Sequence, residues 1–204
     1  MYVATLIANS KNRNLSELIL KQVVNDLGGV KYKVLDDNIA IDISLVSEPS
    51  NFEIVWKQLQ KHQIDMVLQP IKNRRKNILL ADMDSTMIEQ ECIDELADEA
   101  GVGKRVAEIT KRAMNGELDF EDALIERVKL LKGLSSDIIV NVLKGRITLM
   151  PGAESLIKTM KRNGSYCALV SGGFTDFTEA ISKMLGFDEN RANTLLHENE
   201  MLSG

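Results

Sequence analysis

The sequence predicts two α/β units in succession: a ferredoxin-like α+β module over residues 1–71, and an α/β core over residues 78–204 that carries an inserted helical cap. Three observations lead there. The first 70 residues alternate strand-like and helix-like stretches in the order βαββαβ. A short basic stretch, Lys72 with Arg74, Arg75 and Lys76, then marks a change of pattern. Beyond it, two apolar runs, Ile78 to Ala81 and Tyr166 to Val170, bracket a long charged stretch with helical spacing.

In the first unit, Tyr2 to Ala8 reads as a strand and Leu15 to Leu27 as a helix that Gly28-Gly29 stops. Tyr32 to Leu35 and Ile39 to Leu45 read as strands around the turn residues Asp36-Asp37-Asn38, with Ile39, Ile41, Ile43 and Leu45 sharing one face. A helix over Phe52 to Lys61 and a strand over Asp65 to Leu68 complete the order. Residues 72–77 read as a solvated linker.

In the second unit, Ile78 to Ala81 reads as a strand buried on both faces of a parallel sheet. Glu89 to Ala100, Lys104 to Met114, Phe120 to Leu131 and Asp137 to Leu143 read as helices broken near Gly101, Gly116 and Gly133. The cap is expected over 87–145 and the core over 78–86 and 146–204. Pro151-Gly152 opens a helix through Lys161, Asn163-Gly164 closes it, and Tyr166 to Val170 forms the next strand.

A hydrophobic content of 44% over 204 residues supports a buried core. A net charge of −5 argues against nucleic acid as a partner, because phosphate backbones are held by clustered Lys and Arg. No apolar run approaches the roughly 18 residues that span a bilayer, and the first residues lack the pattern of a leader. The expected setting is cytoplasmic, with no membrane partner. Cys92 and Cys167 form no CxxC pair and have no nearby histidine, so they read as reduced, partly buried thiols.

Asp82-Met83-Asp84-Ser85-Thr86 stands at the C-terminal end of an apolar strand, where open α/β sheets place their ligands. Two carboxylates there can divide a phosphoryl transfer. Asp82 can attack phosphorus to form an aspartyl-phosphate, and Asp84 can protonate the departing alkoxide and later activate water. A phosphate dianion repels a carboxylate nucleophile, so a hard cation is required; Mg²⁺ suits oxygen ligands, with a carboxylate from Asp82 and the backbone carbonyl of Asp84. The plainer reading is that Asp84 or Ser85 caps the next helix. Ser171-Gly172-Gly173, between a strand and a helix beginning near Phe174, can cradle phosphate through a hydroxyl and backbone N–H groups, or can simply be a turn.

Together, DMDST, Glu91, Thr110 through Ala113-Met114-Asn115-Gly116, Phe120, Arg127 and VSGGF stand in the order and spacing of one family. From Ile78 to Gly204 the chain resembles the phosphoserine phosphatase family of the haloacid dehalogenase superfamily, and residues 1–71 resemble the ACT-like module of its longer bacterial members. The resemblance implies a Rossmann-like haloacid dehalogenase core and Mg²⁺-dependent hydrolysis of the small molecule O-phospho-L-serine, the last step of serine biosynthesis. It implies that Asp82 is the nucleophile, Asp84 the acid/base and both are metal ligands. It further implies that Glu91 faces the substrate ammonium, Arg127 grips its carboxylate, Ser171 and Gly172 hold phosphate, and Phe120 with Met114 walls out water. Taken alone, Glu91 is one of five acids on a helix, Arg127 can pair with a helix carboxylate, and Phe120 and Met114 can be bundle core. Self-association into a homodimer is left open.

The family pattern continues, past the position of Gly204, with a phosphate-touching lysine and a GDGxND-like metal loop. Lys158, Lys161 and Lys183 do not match that lysine. The expectation is therefore a C-terminally incomplete core, with impaired activity and an apolar strand exposed at a sheet edge. Two other functions stay open: another small-molecule phosphatase of the superfamily, or a catalytically silent amino-acid-binding protein.

Overall fold

A computed structural model describes residues 1–204, which divide into two compact units, Met1–Arg75 and Lys76–Gly204. The first runs β1 (Tyr2–Ala8), α1 (Glu17–Leu27), β2 (Lys31–Asp36), β3 (Ala40–Leu45), α2 (Phe52–Gln60), β4 (Ile64–Pro70). Its antiparallel sheet has the order β2-β3-β1-β4. Register follows the apolar alternation: Leu6 of β1 lies between Ile41 of β3 and Met66 of β4. That face meets Leu20, Val23 and Leu27 of α1 and Val55 and Leu59 of α2 in one core.

Helix α1 begins at Glu17, two residues later than the apolar pattern suggests, because Ser16 takes the N-cap and its hydroxyl accepts from the Ile19 N–H. Leu15 and Leu20, the positions of a hydrophobic staple, are both buried. Gly28 closes the helix at φ 68°, a conformation that favours glycine. The basic stretch is not uniformly a solvated linker. Arg74 folds back onto the first unit, donating to Asp42 at 2.6 and 2.8 Å and to Thr5 Oγ1 at 2.9 Å. Asp42, mid-strand on the sheet face turned away from the helices, is mostly buried and needs a cationic partner.

The second unit contains β5 (Ile78–Ala81), α3 (Cys92–Glu99), α4 (Gly103–Met114), α5 (Phe120–Lys129), α6 (Asp137–Gly145), α7 (Ala153–Arg162), β6 (Tyr166–Phe174), α8 (Thr175–Leu185), β7 (Glu189–Asn193) and a hairpin of β8 (His197–Glu198) and β9 (Met201–Leu202). Strands β5, β6 and β7 form a parallel sheet in that order, an α/β Rossmann-like arrangement, and α3 to α6 are a helical insert between β5 and α7. Ile88, Leu96, Leu131 and Val142 share one core with Leu169, Phe177 and Ile181, so insert and sheet are packed as a piece. No helix is long and apolar enough to cross a membrane.

Two readings of this unit need correction. Strand β5 is not buried on both faces: Ile78 is 63% and Leu80 69% exposed, and on the same open face Tyr166 and Val170 of β6 are exposed as well. The cause is that Leu96 of α3, Ile157 of α7 and Ile181 of α8 all join the core on the Leu79, Cys167 and Leu169 side, which leaves the other face of the sheet, with edge strand β5, uncovered. Helix α3 starts at Cys92, not Glu89, because Glu89 N–H donates to the Thr148 carbonyl at 3.0 Å and the Gln90 carbonyl accepts from Ser85 N–H at 3.1 Å.

Candidate active site

The parallel register pairs Ala81 with Leu169, which brings the chain segments leaving β5 and the end of β6 side by side. Asp82 and Asp84 follow the first strand; Ser171, Gly172 and Gly173 extend the second. Past Asp82 the chain winds tightly, with the N–H groups of Thr86, Met87 and Ile88 all directed at the Met83 carbonyl at 2.8–3.2 Å. Ser85 sits there at φ 51°, a left-handed conformation uncommon for a non-glycine residue and a form of strain that clusters at functional sites.

Hydrogen bonds fix the acidic groups. Asp82 Oδ1 accepts from Met83 N–H at 2.8 Å. Asp84 Oδ1 accepts from Cys92 N–H at 2.8 Å, and its Oδ2 accepts from Ser171 Oγ at 3.1 Å. Asp84 therefore does satisfy a first-turn amide of α3, as a cap would, while also facing the cleft. The Ser85 hydroxyl donates to Glu91 Oε1 at 2.7 Å. On the other side, Gly173 N–H donates to Ser171 Oγ at 2.9 Å and Asn193 Nδ2 donates to the Gly172 carbonyl at 2.8 Å. The peptide between Gly172 and Gly173 is thus pinned at both ends.

These groups surround a cavity of about 270 Å³. Asp82, Asp84, Glu91, Arg127, Ser171 and Gly172 all line it, with Phe120 from the start of α5. The Phe120 ring rests on Gly172: a Cβ built there would meet its Cζ at 3.3 Å. Met114 does not join this wall. It is 86% exposed at the end of α4, where the helix has turned past its buried residues Val106 and Ile109.

A profile of haloacid dehalogenase-like hydrolases matches residues 79–204. The chain belongs to that family. The phosphoserine phosphatase of Archaeoglobus fulgidus is 45% identical over 150 residues, 72% of this chain and 43% of that enzyme. The chain thus spans less than half the length of that relative. A family hydrolase from Salmonella enterica serovar Typhi superposes with a TM-score of 0.82 at 25% identity, over 99% of this chain and 70% of its own. A phospho-aspartyl intermediate analogue of a phosphoserine phosphatase superposes with a TM-score of 0.58 at 44% identity, over 64% of this chain and 62% of its own.

Three carboxylates, Asp82, Asp84 and Glu91, against the single guanidinium of Arg127 leave the cleft strongly acidic. Arg127 donates its Nε to the Ala123 carbonyl at 3.1 Å, which braces the guanidinium against its own helix. Asp94 on α3 is held above the usual carboxylate range by burial, with Asp98, Glu95 and Asp84 adding to it and Arg127 opposing. Burial, then the Asp84 carboxylate, pushes the Cys92 thiol well up, so it is an inert wall and not a nucleophile.

Gly173 lines the cavity as part of the expected Ser-Gly-Gly cradle, and Cys92, Ile93, Leu124 and Phe174 line it without having been singled out as site residues. Gly173 carried a signal: a glycine beside a carboxylate-bearing turn marks close backbone approach, and a Cβ there would fall 2.8 Å from Asp84 Oδ2. Cys92 and Leu124 carried none, since each reads as an ordinary apolar helix position.

Proposed function

We propose that this family member is a hydrolase that cleaves O-phospho-L-serine to serine and phosphate through an aspartyl-phosphate. The observation that carries the reading is one cleft in which a carboxylate pair and a Ser-Gly-Gly cradle lie together with Glu91 and Arg127. A phosphate monoester fits the first two; a neighbouring ammonium and carboxylate fit the last two. Arg suits the carboxylate because its planar fork makes two charge-assisted bonds. The similar phosphatases, one of them a phospho-aspartyl analogue, support the same chemistry.

In the proposed reaction, an Asp82 carboxylate oxygen attacks phosphorus while the ester P–O bond breaks, and Asp84 gives its proton to the leaving seryl oxygen. Water then attacks the aspartyl-phosphate, Asp84 takes the water proton, and phosphate leaves with the Asp82 carboxylate restored. Ser171 and Gly172 N–H hold the phosphate oxygens, and Phe120 covers the cleft.

The donor set suits a hard divalent cation. Both Asp84 carboxylate oxygens already accept hydrogen bonds, whereas Asp82 has one oxygen without a donor. Asp82 Oδ2 and the Asp84 carbonyl would hold Mg²⁺, which supplies positive charge against the phosphate dianion. Lysine does not supply it here: none lines the cavity, Lys158 pairs with Glu154, and Lys161 pairs with Asp188. Turnover by the 204-residue chain is therefore expected to be slow. The two free, buried cysteines support a reducing, cytoplasmic setting.

For residues 1–71, the βαββαβ order with β1 between β3 and β4 supports a ferredoxin-like, ACT-like module.

The test combines Mg²⁺-dependent phosphate release with calorimetric binding of O-phosphoserine. Asp82→Asn should lose release and keep binding. Arg127→Ala should weaken O-phosphoserine while sparing a generic aryl phosphate; equal losses on both would overturn the amino-acid specificity.

A further inference from the structure

The helical insert joins the core through two chain segments, one leading into α3 and one leaving α6. They run antiparallel, bridged at Ile88 and Leu149, with Met150 N–H donating to the Met87 carbonyl at 3.0 Å and Glu89 N–H to the Thr148 carbonyl at 3.0 Å. Beyond that point the backbone ladder stops and a side chain takes over. Gln90 Oε1 accepts from Thr148 N–H at 2.9 Å and Gln90 Nε2 donates to Thr148 Oγ1 at 2.8 Å, so the side-chain amide acts as one more peptide of the ladder. The Thr148 hydroxyl in turn donates to Glu89 Oε2 at 2.5 Å. Arg146 adds a second stitch to α3 through Glu95 at 3.1 Å and Glu99 at 2.9 Å.

Gln90 also faces the active-site turn. Its carbonyl accepts from Ser85 N–H at 3.1 Å, and it immediately precedes Glu91 and Cys92, which touch Ser85 and Asp84. We propose that Gln90 is a positioning residue: by clasping Thr148 it locks the two segments together and holds the Asp84–Ser85 turn in register with Glu91 and Cys92. Insert placement and carboxylate geometry then form one mechanical unit. The catalytic weight of the clasp rests on Asp84 being the acid/base, as proposed above; the clasp itself does not.

Amide hydrogen exchange by NMR, without substrate, tests it on the 204-residue chain. Three amides report: Thr148 on the clasp, Ser85 on the turn and Cys92 on Asp84. In Gln90→Leu the Thr148 amide loses its acceptor, and all three amides should exchange at least about tenfold faster, as for a local opening of one cooperative piece. Acceleration confined to Thr148 would overturn the proposal. Thr148→Val keeps the backbone bond to Gln90 but loses both hydroxyl bonds. It should accelerate Ser85 and Cys92 by a smaller factor, and Thr148→Ser should restore wild-type rates. A serine variant as fast as the valine one would also overturn it. With O-phosphoserine added, Gln90→Leu should bind about three- to tenfold more weakly, the loss typical of one hydrogen bond. A wild-type chain that binds no O-phosphoserine counts against the proposed substrate and leaves the exchange result intact.

Discussion

Gly173→Ala tests whether the phosphate cradle and the acid/base are built as one. Gly173 does not occupy a left-handed conformation, so alanine meets no backbone penalty. The obstacle is contact: a Cβ would lie 2.8 Å from Asp84 Oδ2, 3.1 Å from Ser171 Oγ and 3.4 Å from Met83 Cε. Non-bonded heavy atoms settle at about 3.5–4.0 Å, so the Asp84 carboxylate must withdraw by about 0.7 Å or more. Withdrawal breaks the 3.1 Å bond from Ser171 and strains the 2.8 Å bond from Cys92 N–H. A hydrogen bond to a charged group contributes about 1.5–3 kcal/mol, and overpacking adds about 1–3 kcal/mol when nothing yields. Because the carboxylate can yield, the expected loss is about 2–3 kcal/mol, read from urea unfolding of the second unit by far-UV circular dichroism. In an Asp84→Ala background the same substitution should cost under about 1 kcal/mol, since the two sites are coupled. An equal cost in both backgrounds would refute the reasoning, by showing that the methyl group collides with something other than Asp84.

At the neighbouring glycine, Gly172→Ala pushes only on the edge of the exposed Phe120 ring, so stability should change by less than about 0.5 kcal/mol while O-phosphoserine binding weakens. Phe120→Leu in the same chain should recover part of that binding, measured by calorimetry. In the first unit, burial raises the Asp42 carboxyl, but hydrogen bonds from Arg74 and Thr5 outweigh it and hold the group below its usual range. A depressed folded value means stabilisation that is complete above the unfolded value of about 3.9 and is lost as pH falls through the folded one. The urea midpoint of the Trp56 fluorescence transition should therefore fall on acidification below about pH 4, and Asp42→Asn should flatten that decline. Cys92 and Cys167 are both buried, and burial raises both thiols, so neither should react with an aromatic disulfide at mildly alkaline pH until denaturant is added.

Elements with strong apolar period were legible from the chain. Ile78 to Ala81 coincides with β5, and the alternation at Ile41, Ile43 and Leu45 gave the buried face of β3. What was not legible depends on distant partners. Glu189–Asn193 has little apolar character and becomes β7 because β6 offers it a parallel edge, with Ala168 opposite Glu189. Strand β6 runs on past Val170 through the glycines to Phe174, where it pairs with Asn193. The six residues singled out for chemistry share one cavity although they come from three separated stretches, and the motif order carried that information. Met114 shows the limit, since a motif position says nothing of which way the last turn of a helix points.

The parallel pairing of Ile78 with Tyr166 has a consequence for how the chain comes into being. During synthesis the residues of β5, with Asp82 at their end, emerge long before their only partner strand is made. Helices α3, α4 and α5 make contacts between sequence neighbours and can form in the interval. Their folding shortens the open loop whose closure β5 and β6 must complete. The cleft is therefore among the last features to assemble, and slowing of that step leaves Leu79 and Ala81, which the finished core covers, waiting on an unpaired strand.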